Sequence, residues 1–249
     1  MDIHPVYFDI GSAVSVFEGQ FPSRGLQDQL LRYFIQRNGQ FNIQNRRDKI
    51  FGSAVNGKVI SVRIHQLDHL LAAHCAPALA GIKPANLVSC QRSQFPQLSR
   101  QLEEYRRAFA PKDVHFRILC ACSKRYLLLV YRRRLLEQCL AQEKVVMLLE
   151  QFGYRGEESL ETKLDRLASR AAGQGGFPHE IGLFLGYPVE DVEGFIRYGG
   201  AGCKLCGCWK VYGDVPSASR QFARIARVCR TCVRRVEQGE TLFEVFAVA

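Results

Sequence analysis

Strand-like alternation is scarce in this chain, and the two clearest cases stand side by side: Val114 to Cys122 and Arg125 to Tyr131, separated by Ser123-Lys124. The first alternates Val114, Phe116, Ile118 and Cys120. Elsewhere the apolar residues mostly recur at helical spacing. Leu98, Leu102, Tyr105 and Phe109 form one stripe across Phe95 to Phe109, with Pro96 suited to its first turn. Leu135, Leu136, Cys139, Leu140, Leu148, Leu149 and Phe152 form another that stops at Gly153. Ser159 is placed to cap a helix carrying Leu160, Leu164, Leu167 and Ala171.

Two short helices are expected over Pro178 to Gly186 and Pro188 to Tyr198, each opening with proline, and a long one over Ser217 to Val236. His65 to His74 reads as a helix broken by a loop from Ala76 to Pro84, Leu205 to Tyr212 as a strand, and Leu242 to Val248 as an apolar end segment. So few strands among so many helices cannot make a βαβ array. The expectation is α+β, predominantly helical with a small antiparallel sheet.

Residues 1–62 differ in flavour, with many Gln, Asn and Gly. Leu26, Leu30, Leu31, Phe34 and Ile35 fit one helix, and Lys49 to Val55, Asn56-Gly57 and Lys58 to Ile64 fit a hairpin with a type I′ turn. We read 1–62 as an N-terminal extension, a flexible arm or the product of an upstream start codon, ahead of a single main domain over 63–249.

The longest apolar run, Tyr126 to Tyr131, is far short of the roughly 18 residues that span a bilayer. The opening MDIHPVYFDIGS has neither a basic n-region nor an apolar h-region, so a cytoplasmic protein without a membrane partner is expected. There its 10 cysteines stay reduced, as core residues, metal ligands or reactive thiols. The formal charge of +10 favours an anionic partner. Much of the excess falls in one stretch: Lys204, Lys210, Arg220, Arg224, Arg227, Arg230, Arg234 and Arg235 stand against the single acid Asp214. No Walker sequence and no GxGxxG is present.

Three groups of residues could carry chemistry. Cys203-x-x-Cys206 and Cys229-x-x-Cys232, with Cys208 between, have the spacing of zinc and iron–sulfur sites. A continuous strand over Leu205 to Tyr212 would set Cys206 and Cys208 on one face, opening a quartet with Cys229 and Cys232. Core packing is the competing reading, because Phe222, Ile225, Ala226, Cys229, Cys232, Val233 and Val236 share one stripe of the long helix. Arg220, Arg224, Arg227, Arg230 and Arg234 take the opposite face and are the candidates for an anionic partner. Cys75, beside His74 at a helix–loop border, could be a nucleophile activated by His74, Lys83 or His179, with Glu180 beside His179, although no third partner is evident. His179 to Ile196 has a helix-turn-helix cadence, but Glu190, Asp191 and Glu193 oppose DNA binding there.

Three blocks stand out: HCAPALAGIKPANL at 74–87, FPHEIGLFLGYPVEDV at 177–192 and GCWKVYGD at 207–214. In this order, from about His65 to the C-terminus, they resemble the bacterial family called domain of unknown function 3793. The resemblance implies family membership and a link to anaerobic bacteria, a setting that would suit an oxygen-sensitive centre, and it implies no activity. Three functions stay open: a cysteine-rich thiol or metal module (zinc or iron–sulfur) in redox or metal metabolism, a Cys75–His179 enzyme, and an arginine-face binding protein.

Overall fold

The computed structural model describes residues 58–173 and 177–248, with side chains from residue 66 onward. The helix expected around Leu26 to Ile35 and the strand Lys49 to Val55 lie outside the described residues. The proposed second hairpin strand, Lys58 to Ile64, is instead the start of α1 (Lys58–Leu79). Its Val59, Ile60, Val62 and Ile64 are β-branched, which favours strand locally, but a long helix overrides so weak a preference.

After α1 come β1 (Ala85–Gln91), α2 (Leu98–Phe109), a 3-10 turn (Ala110–Lys112), β2 (Val114–Ala121) and β3 (Arg125–Arg132). Then follow α3 (Arg133–Leu140), α4 (Glu143–Glu150), α5 (Leu160–Ala172), α6 (Ile181–Phe184) and α7 (Val189–Tyr198). The chain ends in the small hairpin β4 (Leu205–Cys206) and β5 (Lys210–Val211), α8 (Val215–Glu237) and α9 (Leu242–Val245). The fold is α+β, predominantly helical, with a small antiparallel sheet.

The main sheet has the order β1-β3-β2, every pairing antiparallel. Central β3 sends Tyr126, Leu128 and Val130 to one face, and Leu127, Leu129 and Tyr131 to the other. Both faces are covered. The first packs against α1, α2, α8 and Leu242 of α9; the second against α3 to α7. Such double coverage explains why β3 reads as one apolar run.

Three local departures from expectation have physical causes. Helix α1 passes through Pro77 and ends only at Leu79, with Gly81 at φ 72° beyond it. Proline disturbs the helical ladder, and the Ala78 N–H donates sideways to buried Asn86 Oδ1 at 2.9 Å. Arg132 serves the helix end, its guanidinium donating to the carbonyls of Ala78 at 2.9 Å and Leu79 at 2.5 Å. In β2 a register shift between Ile118 and Cys120 leaves Ile118 on the first face and moves Cys120 to the second. A bulge does this because one extra residue inverts the alternation. The expected strand Leu205 to Tyr212 folds back on itself, pairing Leu205 with Val211 and Cys206 with Lys210.

Candidate functional site

Cys75 lies one turn before the end of α1 and is fully buried. Its thiol is pushed well above the ordinary range, first by burial and then by Cys90 and Cys229, while Lys83 pulls the other way. Lys83 hangs from the loop between α1 and β1. The residue as a whole is half-buried, and the amine is its drier end. Burial lowers that amine to about 8, against the raising influence of Cys208, Cys229 and Cys75. Those three thiols come from the β4–β5 turn, α8 and α1.

An aromatic wall closes over this cluster. Lys83 Nζ stands 4.9 Å from the centroid of Tyr187. Tyr187 stacks on Trp209 at 4.8 Å, and Trp209 meets Phe222 of α8 edge-on at 4.5 Å. The Tyr187 hydroxyl donates to the Cys208 carbonyl at 3.5 Å. Asp191, buried in the first turn of α7, holds the wall in place. Its carboxylate accepts from Trp209 Nε1 at 2.7 Å, from the Tyr212 N–H at 2.7 Å and from the Gly213 N–H at 2.8 Å. Gly186 turns the chain at φ +71°, and a Cβ there would stand 2.5 Å from Pro84 Cγ. That close approach brings the 177–192 segment against the 74–87 loop. All three sequence blocks therefore meet at Lys83, Tyr187 and Trp209.

The five C-terminal cysteines divide between two places. Cys208 and Cys229 are buried, and both raise the Lys83 amine electrostatically. Cys203 and Cys206 are half-buried near Tyr212, whose phenol is raised by burial first and by these thiols among other groups. The fold-back at Gly207 accounts for the split, since it takes Cys208 off the strand that carries Cys206. Cys232 lies one helical turn along α8, raised to about 11 by burial. Among the described residues, no three His, Cys, Asp or Glu side chains come together as a metal ion needs.

The other sequence-derived pair differs in exposure, Cys75 being fully buried within the first apolar cluster. His179 is exposed and meets Phe195 edge-on at 5.1 Å. The atoms packed around the ring lower its pKa while Glu180 raises it, and water screens both effects. Glu180 is fully buried and is held by Tyr154 at 3.2 Å and by Arg170. Asp191, read from the sequence as a charge facing outward, is buried, while Glu190 and Glu193 are exposed. Of the six arginines of α8, Arg220, Arg224, Arg227, Arg230 and Arg234 are exposed and Arg235 is half-buried.

In the sequence Lys83 is legible only as a possible activator of Cys75 and Asp191 only as a charge set against DNA, while Tyr187 and Trp209 carry no reading of their own beyond the blocks they lie in. Their signal was present: each lies inside one of the three blocks, and Trp209 is the single tryptophan of the chain.

A family model described as "Protein of unknown function (DUF3793)" matches residues 71–246. No curated protein and no solved structure matches the chain significantly.

Proposed function

Because the chain belongs to the family of proteins of unknown function DUF3793, which names no activity, we propose from its own side chains that it is a thiol-based redox module. Cys75, Cys208 and Cys229 supply the sulfur, and Lys83 is the cation that opposes the rise burial imposes on these thiols and so lowers the cost of a transient thiolate. The observation that carries this reading is the Lys83 amine, dried beneath an aromatic wall and electrostatically coupled to all three thiols. A thiolate is the nucleophile in disulfide exchange, and a buried thiol ionises only if a cation replaces lost hydration. Proton transfer from a thiol to the neutral amine makes both partners of that ion pair at once. The thiolate then attacks a disulfide substrate, releasing one thiolate product. A second protein thiol resolves the mixed disulfide, releasing the other. Two electrons pass to the substrate, and the protein gains one disulfide. The reading suits a compartment that keeps thiols reduced, so we place the protein in the cytoplasm.

Oxidised glutathione under nitrogen is the test substrate. The native protein should form a mixed disulfide or lose two hydrogens, mapped by mass spectrometry to Cys75, Cys208 or Cys229. Lys83→Met should slow that reaction about tenfold at pH 7.5, since removing the cation raises the thiol pKa by about one unit. Thiols that stay inert until urea unfolds the chain, equally in both proteins, would refute the reading.

A further inference from the structure

A second surface, on the opposite face of α8 from the thiol cluster, stands on separate observations. Ala218, Ile225, Cys229, Cys232 and Val236 are buried on one side of this helix. Arg220, Arg224, Arg227, Arg230 and Arg234 are exposed on the other. At 3.6 residues per turn the five arginines fall within an arc of about 120° and extend along about 21 Å of helix. The acids nearest in sequence are engaged elsewhere. Asp214 caps the helix by accepting from the Ser217 N–H, Glu237 lies 3.9 Å from His69, and Glu240 pairs with Arg235. Among the described residues none of the five arginines is in an ion pair.

We propose that this arginine stripe docks the phosphodiester backbone of a single-stranded nucleic acid. A strand stacked at 3.4 Å per phosphate presents about six negative charges over the length of the stripe, a near match to its five guanidinium groups. Every cation on the stripe is arginine, whose planar fork binds phosphate oxygens in pairs, where lysine acts as a point charge. A lipid surface fits less well. The large exposed hydrophobics among the described residues are Met147 and Tyr198, and neither lies on α8, so nothing beside the stripe would enter a bilayer. The chain's own first 57 residues are not a complementary occupant: they hold Arg24, Arg32, Arg37, Arg46, Arg47 and Lys49 against Asp2, Asp9, Glu18, Asp28 and Asp48. The contact reads charge and not base identity.

The test is fluorescence anisotropy of fluorescein-labelled U20 RNA and dT20 DNA with the full chain, between 50 and 200 mM KCl. Each phosphate neutralised on a single strand contributes about −0.7 to the slope of log K against log salt, so three to five contacts give about −2 to −3.5. R224Q/R227Q/R230Q should lose about 2 from that slope. The R224K/R227K/R230K chain should keep the slope and bind more weakly. Both are surface changes, and unaltered Trp209 emission checks the fold. Tighter binding of one oligonucleotide would assign the sugar, and equal binding would leave the backbone as the shared ligand. Absence of binding to both at 50 mM KCl overturns the proposal, as does a slope unchanged in the glutamine variant. It is equally overturned if phosphatidylserine vesicles or polyglutamate bind through these arginines while neither oligonucleotide does.

Discussion

Asp191 takes three N–H donors at once, from the Trp209 ring and from two successive residues of the 207–214 segment. One buried carboxylate thus ties α7 to the hairpin and fixes the indole against which Tyr187 stacks. Asp191→Ala would strand all three donors away from water, and stability should fall by about 3–4 kcal/mol. Asp191→Asn keeps a carbonyl oxygen for the two backbone donors and should cost about half as much. The urea midpoint, followed by the single tryptophan, reads both; an alanine variant as stable as the parent would remove Asp191 from this role. The thiols make a second prediction at this scale. Burial raises Cys75 and Cys229, holds Cys90 at about 12 and Cys232 at about 11, all above the ordinary thiol value of 9.0. Above pH 9 the unfolded chain sheds protons that the native chain keeps, so stability falls as pH rises. Lys83 acts in the opposite sense. Between about 8 and 10.5 the unfolded chain holds a proton that the native amine has released, which favours the fold as pH rises. Four thiols outweigh one amine. Under nitrogen with reductant, the urea midpoint should be lower at pH 10.5 than at pH 8, and Lys83→Met should steepen the fall. A midpoint that is flat or rising over that interval would show that these thiols are not raised.

The β4–β5 hairpin meets α8 at Phe222, through Trp209 and through Gly207. A Cβ at Gly207 would overlap the Phe222 ring. Gly207→Ala should therefore cost about 2 kcal/mol by overpacking, with part regained when Phe222→Leu is added. Thermal unfolding of the two single variants and the double variant measures this coupling; strict additivity would mean the two side chains do not clash. The same hairpin marks the border of what the sequence made legible. Where one face of an element is buried, its pattern is readable: Leu98, Leu102, Tyr105 and Phe109 are all buried in α2, as their spacing predicts. The apolar stripe and arginine stripe of α8 likewise lie on opposite sides of the helix. Elements shaped by tertiary pairing were not readable. Ala85–Gln91 becomes a strand by pairing with β3, and its own apolar alternation is irregular. The bulge in β2 and the fold-back at Gly207 are set by strand pairing, with β3 and between β4 and β5, that the alternation of a single strand does not record. The burial of Asp191 likewise follows from where Trp209 arrives. The helix through Pro77 needed Asn86 and Arg132, neither of which is local to it.

At the scale of the molecule, the candidate site sits where the two layers meet around the sheet. Cys75, Cys208, Trp209 and Cys229 belong to the apolar cluster on the first face, whereas Tyr187 packs against both clusters. Gly186 and Pro84 close the seam between them. Lys83 stands at that seam, half-buried, with its amine over the Tyr187 ring. The two proposed activities therefore use opposite faces of α8, sulfur chemistry inward and phosphate contact outward, and substitutions in one should leave the other unchanged. The thiol chemistry depends on the state of the Lys83 amine. Competitive acetylation with trace acetic anhydride across pH 6 to 11, read lysine by lysine by mass spectrometry, gives each amine's titration midpoint in the native chain. Lys83 should titrate near pH 8, below the ordinary lysine value, and should move when the thiols are alkylated in the folded protein. A Lys83 midpoint near 10.5, unaffected by the state of the cysteines, would contradict the site described.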